Sequence, residues 1–103
     1  MELYGNGVRK LHSAMISLLG PGPQRNRLKE ALVDNLNELN PEQDLPASIR
    51  SDFSAFRDQL IIAPPDSAQA LAPVFTMSDW EIDSAAAEVL RFYEAVCREQ
   101  RTH

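Results

Sequence analysis

Residues that can bind a metal ion or attack a substrate are few in this chain. Beyond its carboxylates, the usual metal ligands are limited to His12, His103 and Cys97. Glu99 and His103 have the i,i+4 spacing of ligands on one helical turn, at a place where a helix end would fray. A metal site needs several ligands converging from rigid positions. We therefore expect no metal, no cofactor and no catalytic residue.

The cysteine is better explained by packing than by reactivity. Cys97 stands beside Val96 and Tyr93 in an apolar stripe, near the end of a predicted helix. A reactive thiolate needs an electropositive setting or the start of a helix. We expect Cys97 to be a small core residue.

Three polar side chains are candidates for lining a pocket. Asn35 falls among the leucines of one apolar stripe, His12 stands at the edge of another, and Tyr93 lies in the last. A buried amide must find hydrogen-bond partners or cost about 1–3 kcal/mol, so Asn35 is most simply an interhelical contact. The alternative is a pocket for a small ligand, or a minor enzyme site, lined by Asn35, His12 and Tyr93.

Apolar side chains beside the last stripe are candidates for a partner surface. Trp80 points about 160° away from Ile82, while Leu90 and Phe92 flank the stripe by about 80° on either side. Trp80 either packs on the preceding Val74-Phe75 segment or is an exposed anchor, since tryptophan is enriched in interface hot spots. So broad an apolar face also favours self-association into a homodimer.

The elements that must position these residues are helices. Apolar residues recur every three or four positions in four stretches, separated by proline or glycine. This pattern predicts an all-α bundle of four main helices in a single domain over residues 1–103. The expected ranges are about Gly7–Leu19, Pro23–Leu39, Asp44 to Leu60 or Ile62, and Asp79–Gln100.

Residues 63–76 are predicted to form an irregular crossover before the last helix. Prolines interrupt the segment, and Asp66 can cap a short turn. Leu71, Val74 and Phe75 are too apolar for a free linker, so the segment should pack across the bundle. A mobile lid over a pocket is the alternative.

Local signals mark two helix starts and one close contact. Ser78 and Glu81 have the spacing of a capping box at the start of the last helix. Asp44 is expected to accept the free amide protons at the start of the third helix. Gly7 projects inward, where its missing side chain allows another backbone to come close.

Composition and charge exclude several classes of function. The chain has 103 residues, 44% of them apolar, and a net charge of −5. An acidic surface repels phosphates, so we expect no nucleic-acid binding. No apolar stretch approaches the roughly 20 residues that span a bilayer, so we expect no membrane segment. The first residues do not have the pattern of a signal peptide, and the expected location is the cytoplasm.

Several short motifs resemble those of small uncharacterised helical proteins of proteobacteria. In chain order they are Lys10-Leu11-His12-Ser13-Ala14, Arg27-Leu28, Asp44-Leu45-Pro46, Met77-Ser78-Asp79 and Phe92-Tyr93-Glu94-Ala95-Val96. The resemblance implies a bacterial protein of the same fold and brings no functional residue with it.

The preferred function from the sequence is a non-enzymatic interaction or regulatory module that binds another protein or a second copy. The alternatives are the small-ligand or minor enzyme pocket and an acidic inhibitor or immunity-type protein that meets a basic partner.

Overall fold

Helices form along each of the four apolar stripes. The structure, a computed structural model, describes residues 4–63 and 69–101. These residues form six α-helices and no strand. The four long ones are α1 (Gly5–Leu18), α2 (Gln24–Asp34), α4 (Ala47–Leu60) and α6 (Asp79–Arg101), and two short ones are α3 (Pro41–Asp44) and α5 (Ala72–Thr76). The prediction of an all-α bundle with four main helices is confirmed.

The first two long helices form an antiparallel pair. Gly22 lies in the loop between α1 and α2 with φ at 98°, a conformation that favours glycine. Lys10 binds Glu38 at one end of the pair, while the Arg27 side chain lies beside Gly20 at the other. Neither α1 nor α2 is long and apolar enough to cross a membrane, and the same holds for the other described helices.

The core joins α6 to the other long helices. Phe92 of α6 packs edge-on against Phe53 and Phe56 of α4, with ring centres 5.4 and 5.5 Å apart. Such aromatic pairs contribute about 0.5–1.5 kcal/mol beyond the burial of their area. The largest fully buried side chains are Phe53, Phe92, Leu11, Leu28, Leu32, Leu36, Leu45, Ile82, Val74, Val89 and Val96.

The second helix is shorter than predicted. It ends at Asp34, and a separate 3-10 turn covers Leu36–Glu38. Asn35 lies between them with a non-helical backbone, and its side chain is buried, as its place among the leucines predicts. Arg57 of α4 donates to the carbonyls of Leu39 and Leu36 over 2.6 and 3.4 Å. A distant arginine thus satisfies carbonyl groups that a continuing helix would have bonded itself.

The third helix also differs from the prediction at its start. Asn40 and Pro41 begin the short helix α3, where the Asn40 side chain accepts from the Glu42 amide. Asp44 belongs to α3, and its carboxylate accepts from the Asn40 amide and from Asn6 Nδ2. The prediction that Asp44 caps the third long helix is wrong, because α4 begins after Pro46 without a side-chain cap.

Gly7 makes the close contact expected of it. A methyl group at Gly7 would lie 2.1 Å from the Asp44 carbonyl oxygen, far inside van der Waals contact. The backbone of α3 can therefore lie directly on α1 only where α1 has no side chain.

The described part of the crossover packs on the bundle. Leu71 and Val74 are buried as predicted, whereas Phe75 is 56% exposed and lies under Lys29 Nζ at 5.4 Å. Arg25 of α2 donates to the Val74 carbonyl over 2.5 Å. The predicted cap Asp66 lies outside the described residues. The crossover from Leu71 onward is fastened to α2 through Arg25.

Candidate protein-interaction surface

The start of α6 is fixed by the capping box that the sequence predicts. The Ser78 amide donates to Glu81 Oε1 over 3.0 Å, and the Glu81 amide donates to Ser78 Oγ over 3.1 Å. Met77 lies partly buried against the core just before this box, and Ile82 is buried just after it. These contacts fix the start of α6 and so place Trp80 on its first turn.

Trp80 is an exposed side chain on that first turn. It is 76% accessible to solvent, so the alternative in which the Val74-Phe75 segment shields it is wrong. Leu19 is equally exposed, but single apolar side chains on a surface are ordinary. Trp80 differs because it forms one wall of an apolar groove.

This groove runs between α4 and the first half of α6 and is called the Trp80 groove below. Its volume is about 230 Å³. The apolar residues that line it are Phe56, Leu60, Met77, Trp80 and Ala85, and the polar ones are Gln59, Glu81, Ser84 and Glu88. Leu60 and Ala85 are buried and Phe56 and Met77 partly so, which gives the groove a floor continuous with the core.

The charge of the groove is carried by two carboxylates of α6. Glu81 and Glu88 are seven residues apart, which places them on the same face two turns from one another. Hydrogen bonds from the Ser78 amide and hydroxyl lower the pKa of Glu81 below its usual range. Glu88 is paired with Arg91, three residues further along the helix. Like any exposed glutamate, Glu81 is ionised at neutral pH.

The structure separates the three residues predicted to form a partner surface. Phe92 is 1% exposed and belongs to the core, so its assignment to a partner surface is wrong. Leu90 is 42% exposed, but it lies about 80° around α6 and about 15 Å along it from Trp80. Trp80 remains as the candidate, with neighbours from α4 in place of Leu90 and Phe92.

The predicted polar pocket does not form as a single site. His12 is exposed and its ring lies 5.9 Å from the ring of Tyr93. His12 also lines an open cavity of about 550 Å³, whose walls include neither Asn35 nor Tyr93. Asn35 is buried at the end of α2. The three residues therefore do not converge on one ligand.

Cys97 is half-buried and close to Tyr93. A hydrogen bond with Cys97, and then partial burial, raise the pKa of the Tyr93 hydroxyl above its ordinary value. Because Cys97 does not belong to the buried core, the prediction that it is a small core residue is wrong. Within the part of the chain that the structure describes, no three histidine, cysteine or acidic residues are grouped to hold a metal ion.

Comparisons of this chain with protein-family models, with curated proteins and with solved structures gave no match.

Proposed function

We propose that this protein is a non-enzymatic binding module and that the Trp80 groove receives part of a protein partner. The observation that carries the proposal is the 76% exposure of Trp80 on the wall of an apolar groove. Tryptophan loses little conformational entropy on binding and is enriched among the residues that dominate interface energies. A partner that covers Trp80 would also cover Met77 and Phe56.

The size and lining of the groove favour a protein side chain over a small molecule. Pockets for small ligands have volumes of about 300–1,000 Å³, and the groove is smaller, at about 230 Å³. Its lining residues include no histidine, cysteine or lysine. A shallow groove of this kind suits one projecting side chain from a larger partner.

Site-specific photocrosslinking tests the proposal. A photoreactive amino acid at Ser84, inside the groove, should give a discrete adduct in native cells. The same amino acid at Ser13, which is exposed on α1, serves as the control position. Trp80→Ala should abolish the Ser84 adduct while the far-UV circular dichroism stays helical. Adducts that are equal at both positions, or that persist in Trp80→Ala, would contradict the proposal.

The mass of the adduct also decides between a different partner and a second copy of the chain. We propose a different partner. An adduct of twice the chain mass would instead indicate the homodimer. The cytoplasmic location and the bacterial origin stay predictions from the sequence.

A further inference from the structure

We propose that the occupant of the Trp80 groove is a basic, amphipathic polypeptide segment that inserts one large apolar side chain. The inference rests on the proposed function and adds the chemistry of the partner. It follows from the pattern of apolar and acidic groups around the groove.

The apolar residues of the groove favour one large apolar side chain of the partner, called the anchor below. Trp80 of α6 and Phe56 of α4 both line the groove, and the lining residues Leu60 and Ala85 are buried. A volume of about 230 Å³ accommodates a single bulky side chain rather than an extended apolar stripe. Burial of such a side chain contributes about 1.5–3 kcal/mol, so the anchor needs help from surrounding contacts.

The acidic residues of the groove favour basic residues of the partner on both sides of the anchor. Glu81 and Glu88 flank the groove two helical turns apart on α6, with Ser84 between them. On the α4 side, exposed Asp52 shares the face of Phe56 and Gln59, since it precedes them by four and seven residues. A partner with cations on both sides of its anchor would meet Glu81 and Asp52 and would share Glu88 with Arg91.

The same charges weigh against other occupants. Two copies related by a two-fold axis would bring their own Glu81 and Glu88 together, because such an interface uses the same patch on both chains. Arg91 is the cation nearest in sequence to the groove carboxylates, and it is already paired with Glu88. Nucleic acids and anionic lipids carry phosphates, which these carboxylates and the net charge of −5 repel.

Three synthetic helical peptides of about four turns test the inference. They share one central leucine as the anchor on an otherwise alanine face, and the opposite face carries lysine, glutamine or glutamate. Fluorescence anisotropy of the labelled peptides measures their affinity for the full chain. We expect the lysine peptide to bind most tightly. Trp80→Ala should weaken its binding by about 30-fold, as expected for a hot-spot aromatic residue.

A matched pair of charge variants separates a local effect from the overall negative charge. Glu81→Gln with Glu88→Gln should weaken the lysine peptide about fivefold. Asp34→Asn with Glu42→Gln removes the same charge from exposed positions outside the groove and should have a smaller effect. Glutamine at position 81 can still complete the capping box, so the helix start is kept.

The outcomes distinguish the inference from the proposed function. Equal affinity for the lysine and glutamine peptides, equal effects of the two charge pairs, or no binding of any peptide would overturn the basic partner. A Trp80-dependent adduct at Ser84 would leave the groove as a binding site in each of those cases. Loss of that adduct would overturn the proposed function itself.

Discussion

Gly7 has less room for a side chain than Gly20 or Gly22. Gly7→Ala adds a methyl group that overlaps the Asp44 carbonyl oxygen, and a backbone atom cannot rotate away as a side chain can. We expect destabilisation of about 1–3 kcal/mol, as for other overpacked sites, although alanine favours helix by about 1 kcal/mol. Urea unfolding followed by circular dichroism measures the net change in stability. Ser13→Ala, on the exposed face of α1, should change stability by less than about 0.5 kcal/mol.

Phe92 and Leu90 are two positions apart on α6, and their truncation should reduce stability by very different amounts. Phe92→Ala removes a ring packed on Phe53 and Phe56 and should cost about 3–5 kcal/mol. Leu90→Ala, at a site 42% exposed, should cost far less. Chemical denaturation of both variants tests this. Similar losses of stability would contradict the placement of Phe92 in the core.

The error over Phe92 shows where prediction from single residues fails. The stripe of α6 places Phe92 at its flank, and the sequence contains no signal of which helix covers that flank. Phe53 and Phe56 cover it, but they are more than thirty positions away in the chain. Gly7 was predictable because its inward direction follows from the period of its own helix.

The capping box makes the stability of the start of α6 depend on pH. The pKa of Glu81 is lowered in the folded protein by hydrogen bonds from Ser78, so folding favours its ionised form. Its contribution to stability is complete above the ordinary carboxyl pKa and is lost as pH falls through the lowered value. The stability difference between wild type and Glu81→Gln should therefore shrink below about pH 5.

Thermal unfolding at neutral and acidic pH measures this difference. Ser78→Ala is a second check, because it removes the side-chain hydrogen bond that lowers the pKa of Glu81 and also the bond that Ser78 Oγ accepts from the Glu81 amide. It should cost about 1 kcal/mol at neutral pH. A stability difference between wild type and Glu81→Gln that is the same at both pH values would show that the box does not depend on ionisation.

Helix starts were predictable where the signal was local, and helix ends were less so. The α6 box needs only Ser78, Glu81 and the chain between them. After the break at Asn35, Arg57 of another helix binds the carbonyls of Leu36 and Leu39, a contact that local sequence does not encode. The start of α3 had a usable signal, since asparagine followed by proline is typical of the first positions of a helix.

At the scale of the whole molecule, the Trp80 groove is a product of helix assembly. Helical periodicity predicts four amphipathic helices, but it does not specify which pairs become neighbours. The groove exists because α4 lies beside the first half of α6, so that Phe56 and Leu60 line the same groove as Trp80. Only the exposed tryptophan could be anticipated from the sequence, and only as one of two alternatives.

Because Trp80 is exposed, the intrinsic tryptophan fluorescence of the protein should respond to binding at the groove more than to unfolding. Trp80 is the single tryptophan of the chain, and it is already in water when the protein is folded. In a urea titration, its emission wavelength should stay nearly constant while circular dichroism records the loss of helix. A strong red shift during unfolding would show that the indole is shielded in the native state. If the wavelength stays constant, a blue shift on adding a partner shows that the partner covers the Trp80 groove. The emission of Trp80 then reports the fraction of the protein that is bound.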